Sequence, residues 1–168
     1  RPKTSLGNPK TIDLFDVIVT NPPFGSKIPI NDQQILEQFD LAHSWTKDQH
    51  GNWLMNSTKL RGSVPPEQIF IERIVQLLRP GGRAAIVLPD SIFSSPGLEF
   101  IRIWLMRHTH IIASIDLHAD TFQPHNGTQC SILFVVKKTT EELQEEQNLG
   151  FIPDNQIFKA MVDHIGHD

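Results

Sequence analysis

Short apolar runs alternate with helix-spaced apolar patterns along this chain. The runs have the length and β-branched content of buried strands, and we predict strands at residues 15–20, 83–88, 111–117 and 131–136. The helix-spaced patterns predict helices at residues 32–43, 66–79 and 98–108. This alternation predicts an α/β fold, in which helices cover the faces of a sheet.

Two segments show no regular spacing of apolar residues, neither that of a helix nor that of a strand. Residues 118–130 connect the last two strands and contain Pro124 and Gly127. A parallel return normally needs a crossover helix, so the final strand is predicted to be antiparallel. Residues 45–66 are predicted as a loop of about 20 residues, which is either a lid or binding segment or is disordered.

Turn and cap residues set further boundaries. Arg79-Pro80-Gly81-Gly82 is predicted to end the second helix, with a glycine in a left-handed cap. The run from Thr139 to Glu142 resembles a capping box that begins an acidic helix ending near Gly150. Residues 157–165 fit either a strand or a helical turn. We therefore predict a main domain at 1–138 and a helical or extended C-terminal extension at 139–168.

Composition narrows the functional classes. The 168 residues carry 15 Lys and Arg against 19 Asp and Glu, a net charge of -4. This excess of acidic residues argues against a protein that binds nucleic acid by itself through a basic surface. It does not exclude an enzyme whose DNA-binding surface lies on another domain or subunit. The only cysteine, Cys130, excludes a disulfide framework or a Cys-rich metal site and fits a reducing cytoplasm. The eight histidines show no metal-ligand spacing, and no run is long enough for a membrane helix.

Asn21-Pro22-Pro23-Phe24 is the most informative motif. It follows the first predicted strand directly, and the carboxyl ends of strands are where open α/β sheets bind ligands. An Asn-Pro turn explains two of the four residues but not the second proline or the aromatic. Such a tetrapeptide is expected by chance in about two or three of every thousand chains this long.

The motif suits chemistry on an amine attached to a planar ring. The lone pair of such an amine is delocalised into the ring, so the amine is a poor nucleophile. Two acceptors, the Asn21 side-chain oxygen and the Pro22 carbonyl, could hold its two N–H groups and release that lone pair. The two prolines fix the backbone, and Phe24 offers a ring face to a base extruded from a duplex.

These residues resemble the amino-group methyltransferases that use S-adenosylmethionine. The closer likeness is to the modification subunit of type I restriction–modification systems, which is an adenine-specific DNA methyltransferase. That likeness rests on the blocks 16–25, 70–72 and 78–90, and more weakly on 101–105, 122–134 and 157–168. It implies a Rossmann-like methyltransferase sheet with flanking helices, in which Asn21, Pro22, Pro23 and Phe24 are catalytic and Asn21, Pro23 and Phe70 contact the cofactor.

The resemblance also implies partners: DNA, and the specificity and restriction subunits of a multi-subunit complex, without a membrane. One part of the family pattern is missing, because no residues match the glycine-rich cofactor loop or the acidic residue that holds the ribose. A chain that begins at Arg1 is therefore expected to be the later half of the catalytic domain, without its first three strands, and inactive in isolation. Gly81-Gly82 is predicted to be structural, and a core position on the apolar stripe of its helix is favoured for Phe70 over a cofactor contact.

Three functions remain open from the sequence. The first is adenine methylation in DNA by a modification enzyme. The second is methylation of RNA guanine or of a protein glutamine, which other Asn-Pro-Pro-aromatic enzymes perform. The third is a non-catalytic scaffold or interaction fragment, which the missing glycine-rich loop favours.

Overall fold

The computed structural model describes residues 12–23, 28–123 and 127–165. The strands are β1 (Phe15–Thr20), β2 (His43–Lys47), β3 (Trp53–Leu60), β4 (Leu78–Pro89), β5 (Thr109–Asp116), β6 (Cys130–Lys137) and β7 (Phe158–Met161). The helices are α1 (Gln33–Leu36), α2 (Pro66–Leu77), α3 (Ser91–Ser94), α4 (Glu99–His108) and α5 (Thr140–Leu149), with 3-10 turns at Asp40–Ala42 and Pro96–Leu98. All four predicted strands and the second and third predicted helices are confirmed.

Five strands form one mixed sheet in the order β1-β4-β6-β5-β7. β1 is parallel to β4, and β7 is parallel to β5. β6 is antiparallel to both of its neighbours, β4 and β5. The predicted α/β fold is therefore confirmed, and so is the antiparallel orientation predicted for the strand at 131–136, which is β6.

One face of this sheet carries the main core. Ala84, Ile86 and Leu88 alternate along β4 and are fully or almost fully buried. They pack with apolar side chains of α2 and α4, among them Ile71, Ile74, Val75, Ile101 and Trp104. The opposite face is covered less completely, because Ala85 and Val87 on β4 are only half-buried.

β1 lies at an edge of the sheet. Within the described ranges its only strand neighbour is β4. Val17 and Val19 point to the less covered face, and Val19 is 78% exposed. In the part of the chain described, the outer edge of β1 therefore faces no other strand.

The helix predicted at residues 32–43 is wrong beyond its first turn. Asp32 caps α1 by accepting the amide hydrogens of Gln34 and Ile35, but α1 ends at Leu36. Phe39 is extended (φ -128°) and starts the 3-10 turn. The chain leaves the helix here because the amides of Asp40 and Leu41 donate to the buried carboxylate of Glu72 instead.

The loop predicted at residues 45–66 is also wrong, because β2 and β3 form an antiparallel hairpin there. Trp45 lies opposite Met55, and Gly51 makes the turn with φ +83°. Trp45 stacks on Phe100 of α4 with ring centroids 5.7 Å apart. The segment that precedes the hairpin is tied to the segment that follows it by two backbone hydrogen bonds of 2.9 Å between Ile30 and Val64.

Gly81 and Gly82 do not cap the helix. α2 ends at Leu77, and the chain becomes extended at Leu78, so both glycines lie inside β4. Gly81 has φ +75°, beside an irregularity in the pairing of β1 with β4. A Cβ on Gly82 would lie 2.8 Å from the Arg79 carbonyl oxygen, so only glycine fits. The prediction that the pair is structural agrees with this geometry, although its place in the fold was wrong.

The C-terminal part contains one helix and one strand. Thr139 and Glu142 form the predicted capping box of α5, and Gly150 ends the helix in the left-handed region (φ +76°). Residues 157–165 were predicted to form either a strand or a helical turn, and the structure shows a strand, β7, which pairs with β5. The division into 1–138 and 139–168 stays a prediction. No helix in the described ranges is long and apolar enough to cross a membrane.

Candidate active site

The carboxyl ends of β1, β4 and β5 lie at one edge of the sheet, which we call the carboxyl edge. Thr20, the last residue of β1, pairs with Ile86 of β4, and both strands run towards this edge. Asn21 follows Thr20 directly and is exposed. The sheet therefore presents the Asn21 amide at the edge where parallel strands bind ligands.

The two prolines give the backbone after β1 an unusual hydrogen-bonding character. Pro22 is buried and Pro23 is exposed. Neither residue has an N–H, so this stretch offers carbonyl acceptors and no backbone donors. A backbone stretch that only accepts hydrogen bonds suits a ligand group that only donates them, such as an amino group. Phe24 lies outside the described residues, and its stacking role stays a prediction.

Phe70 lies on α2, near the end where the helix begins. Since α2 joins β1 to the parallel strand β4, it runs back across the sheet and begins on the side of the carboxyl edge. Phe70 is half-buried, and neither hydrophobic core cluster of the described residues includes it. A partly exposed ring on this side of the sheet is available for a ligand, whereas its neighbours Ile69 and Ile71 are buried in the cores.

A buried serine links the ends of three other strands at the carboxyl edge. The Ser131 hydroxyl on β6 lies 2.7 Å from Asp90 Oδ1, just after β4, and 2.9 Å from Asp116 Oδ1 at the end of β5. Ser131 is 1% exposed. Its single hydrogen can be donated to only one of the two carboxylates at a time. This contact fixes the relative position of the strand ends beside the motif.

A buried carboxylate anchors the segment between the motif and the hairpin. Glu72 on α2 accepts the amide hydrogens of Asp40 at 3.0 Å and Leu41 at 2.9 Å, and a side-chain hydrogen of Gln76 at 3.1 Å. Burial and the nearby charge of Asp40 raise the pKa of Glu72 to about 8, against these hydrogen bonds. Burial also raises the pKa of Asp40, partly opposed by the hydrogen bond from Trp104.

Other titratable groups have structural roles. Burial lowers the pKa of His108 to about 4, so this ring is neutral at pH 7. It stacks on Trp104 and hydrogen-bonds to the carbonyl oxygen of the same residue at 2.7 Å. Burial raises the pKa of the Cys130 thiol to about 11, which makes it unreactive. Among the residues that the structure describes, no group of His, Cys, Asp or Glu could hold a metal ion.

Sequence reasoning missed the Glu72 and Ser131 contacts. Glu72 has a signal that could have revealed it, because it stands three residues after Ile69 and three before Val75, on the apolar stripe of α2. Ser131 has no such local signal. Its partners follow from the antiparallel register of β6, which pairs Ser131 with both Leu88 and Asp116.

The fold is that of known methyltransferases. A protein from Listeria monocytogenes described as a class I S-adenosylmethionine-dependent methyltransferase matches with a TM-score of 0.66 and 18% identity, over 93% of this chain and 39% of that one. The crystal structure of the EcoKI M protein, a type I restriction enzyme subunit, matches with a TM-score of 0.51 and 26% identity, over 77% of this chain and 22% of that one.

The family follows from the sequence as a whole. The family model for N-6 DNA Methylase matches residues 1–164, and the chain belongs to this family. The methylase subunit of the Escherichia coli type I restriction enzyme EcoEI is 28% identical over 126 residues, which cover 74% of this chain. The corresponding StySPI subunit of Salmonella potsdam is 27% identical over 134 residues, or 79% of this chain. The match covers only 21% of the length of each of these relatives.

Proposed function

We propose that this chain carries the target-base part of an enzyme that transfers a methyl group from S-adenosylmethionine to the exocyclic amine of adenine in DNA, within a restriction–modification system. The single observation that carries the proposal is the exposed Asn21 amide at the end of β1, followed by two residues without N–H groups. Membership of the N-6 DNA Methylase family supports adenine in DNA over RNA guanine or protein glutamine.

The chemistry assigned to this chain is the activation of the amine. The Asn21 Oδ1 atom and the Pro22 carbonyl oxygen each accept one N–H of the target amine. Two acceptors placed out of the plane of the ring draw the nitrogen towards tetrahedral geometry, which frees its lone pair. The ring of Phe24 stacks on the extruded base, a contact worth roughly 1–3 kcal/mol.

S-adenosylmethionine supplies the electrophilic methyl group. The exposed Asn21 and Pro23 and the half-buried Phe70 are the residues of this chain that we assign to its binding. Phe70 fits an apolar contact to a purine ring, because it stands outside both core clusters. No residues of the 168 match the glycine-rich loop of the family pattern, so we assign that part of the cofactor site to other parts of the protein.

The proposed partners follow from the same assignment. The net charge of -4 supports an assembly in which specificity subunits, and not this chain, supply most of the DNA binding. We assign a restriction subunit to the same complex. We place the enzyme in the cytoplasm, where DNA is accessible and where the lone buried thiol of Cys130 stays reduced.

Methyl transfer by the full-length protein with its specificity subunit tests this function. Duplex DNA is incubated with labelled S-adenosylmethionine, and the product is digested and analysed for N6-methyladenine. Asn21→Ala is expected to reduce turnover at least a hundredfold, since one oriented hydrogen-bond partner of a transition state is worth on the order of 3 kcal/mol. Asn56→Ala, an exposed asparagine on β3, is the matched control. Near wild-type turnover of a folded Asn21→Ala protein would refute the proposal.

A further inference from the structure

The hydrogen-bonded ladder between β1 and β4 stops just before the Asn-Pro-Pro motif. Its last pair is Thr20 with Ile86. Continuing this parallel register places Pro22 beside Leu88, one residue before β4 ends at Pro89. In a parallel ladder, a residue exchanges hydrogen bonds with the two residues that flank its partner. The amide of residue 89 is therefore the one that would donate to the Pro22 carbonyl oxygen if the ladder continued.

The backbone of β4 shows which neighbour position 89 faces. The amide of Asp90 donates to the carbonyl oxygen of Gln129, just before β6, at 3.0 Å. Successive amides of a strand point to opposite sides, and β4 lies between β6 and β1. Position 89 consequently faces β1. An ordinary residue there would direct its N–H at the Pro22 carbonyl oxygen.

Proline stands on both strands at the point where the ladder stops. Pro22 has no N–H to donate to the Val87 carbonyl oxygen, and Pro89 has none to donate to the Pro22 carbonyl oxygen. Proline inside a sheet is normally confined to edge strands, whereas β4 has a neighbouring strand on either side. The effect of Pro89 is thus to remove a donor that the sheet would otherwise offer to the motif.

The Pro22 carbonyl oxygen is left without a donor. Pro22 is buried, and in the ranges that the structure describes no amide or side chain donates to its carbonyl oxygen. A buried acceptor without a donor is costly, and native proteins keep few of them. An acceptor of this kind at the carboxyl edge suits a donor that arrives with a ligand.

We propose that Pro89 is a positioning residue for methyl transfer: because it has no N–H, it keeps the Pro22 carbonyl oxygen free to accept a hydrogen of the target amine. This inference rests on the proposed function, in which the Pro22 carbonyl is one of two acceptors of that amine. The role belongs to the missing N–H of Pro89 and not to its ring, and an experiment can separate the two.

The test restores the N–H. In the full-length protein with its specificity subunit, Pro89→Ala supplies an amide that competes with the target amine for the Pro22 carbonyl oxygen. The rate of a single methyl transfer, with DNA and S-adenosylmethionine both saturating, is expected to fall about tenfold or more, because the transition state loses an oriented partner. Pro89→Val, whose side chain suits a strand, is measured in parallel. Circular dichroism verifies that both variants fold.

Two controls separate the N–H from other consequences of the substitution. Pro80→Ala makes the same change at an exposed position near the other end of β4 and is expected to leave the rate of transfer unchanged. Lactic acid incorporated at position 89 gives the alanine side chain with an ester in place of the amide, so it removes the ring without adding an N–H. This ester protein is expected to transfer methyl groups at the wild-type rate.

Amide exchange gives a readout that does not depend on methyl transfer. The amide at position 89 of the Pro89→Ala protein is expected to exchange slowly, because it donates to the Pro22 carbonyl oxygen. The assignment is wrong if this amide exchanges like an unprotected one, if Pro89→Ala and Pro89→Val keep the wild-type rate of transfer, or if the ester protein is as slow as they are. A protected amide at position 89, together with a wild type that transfers no methyl group, would support the free carbonyl and refute the proposed function.

Discussion

Replacing Glu72 by glutamine tests the role of the buried carboxylate that anchors Asp40 and Leu41. The pKa of Glu72 is raised from its ordinary 4.5 to about 8, chiefly by burial. The folded protein therefore holds this proton more tightly than the unfolded chain does. The tighter proton binding stabilises the folded state fully below about pH 4.5, and this stabilisation is lost as the pH rises through 8. The corresponding change in the free energy of unfolding is about 5 kcal/mol.

Glu72→Gln removes the titration and keeps the shape. The variant is expected to lose about 1 kcal/mol at pH 5, because a neutral amide has one oxygen to accept three donors. At pH 8.5 it is expected to be more stable than the wild type, because no buried charge has to be tolerated. Between these two pH values, the glutamine at position 72 should contribute no change to the free energy of unfolding of the variant.

Local opening is measured by hydrogen exchange at the Asp40 and Leu41 amides, corrected for the intrinsic pH dependence. Trp45 Nε1 donates to the Asp40 carbonyl oxygen at 3.1 Å, so tryptophan fluorescence during urea unfolding gives a second readout. Glu145→Gln makes the same chemical change on the exposed face of α5 and is the control. The reasoning is wrong if the wild-type protection at Asp40 is equal at pH 5 and pH 8.5, or if Glu72→Gln retains the wild-type slope.

Three further outcomes are expected. Phe24→Ala should weaken extrusion of the target base, while Phe24→Trp should preserve it, and a fluorescent base analogue in the DNA reports the extrusion. Equal signals from the alanine variant and the wild type would remove Phe24 from the site. Gly82→Ala should destabilise the junction of β1 and β4 by about 2 kcal/mol in urea unfolding, because the new Cβ meets the Arg79 carbonyl oxygen at 2.8 Å, whereas Gly62→Ala, with open space around it, should change nothing. The 168-residue chain alone should bind S-adenosylmethionine weakly or not at all in calorimetry, because it carries no glycine-rich loop; tight stoichiometric binding would show that the cofactor site lies within these residues.

The parts of the fold that could be predicted from the sequence are those stabilised by nearby residues. α2 and α4 show their apolar stripes within about three turns, and β6 is an almost continuous apolar run. The hairpin of β2 and β3 has no comparable local pattern. Its half-buried side chains Trp45 and Trp53 contact Phe100, which lies more than 45 residues later in the chain. Alternation along these strands is therefore too weak to detect without the partner.

In the candidate site, too, only the features that depend on residues close in sequence could be predicted. The place of Asn21 could be predicted because a strand, a proline stop and the carboxyl-edge rule are all local in sequence. The contact of Ser131 with Asp90 and Asp116 joins three strands that are separated by up to 41 residues, so it needs the register of the sheet. The exposed state of Phe70 could not be predicted either, because an apolar residue on a helix stripe can face either a core or a ligand.

The pairing of β1 with β4 has a consequence for how the protein is made. Thr20 lies beside Ile86, so Asn21 reaches its final position only after residues more than 60 places later have left the ribosome. At synthesis rates of 5–20 residues per second, that interval lasts roughly 3 to 13 s. During this interval the pairing of Phe15–Thr20 with β4 cannot form, while β2 and β3 can already pair with each other. The residues assigned to the chemistry are thus synthesised several seconds before the strand that holds them in position.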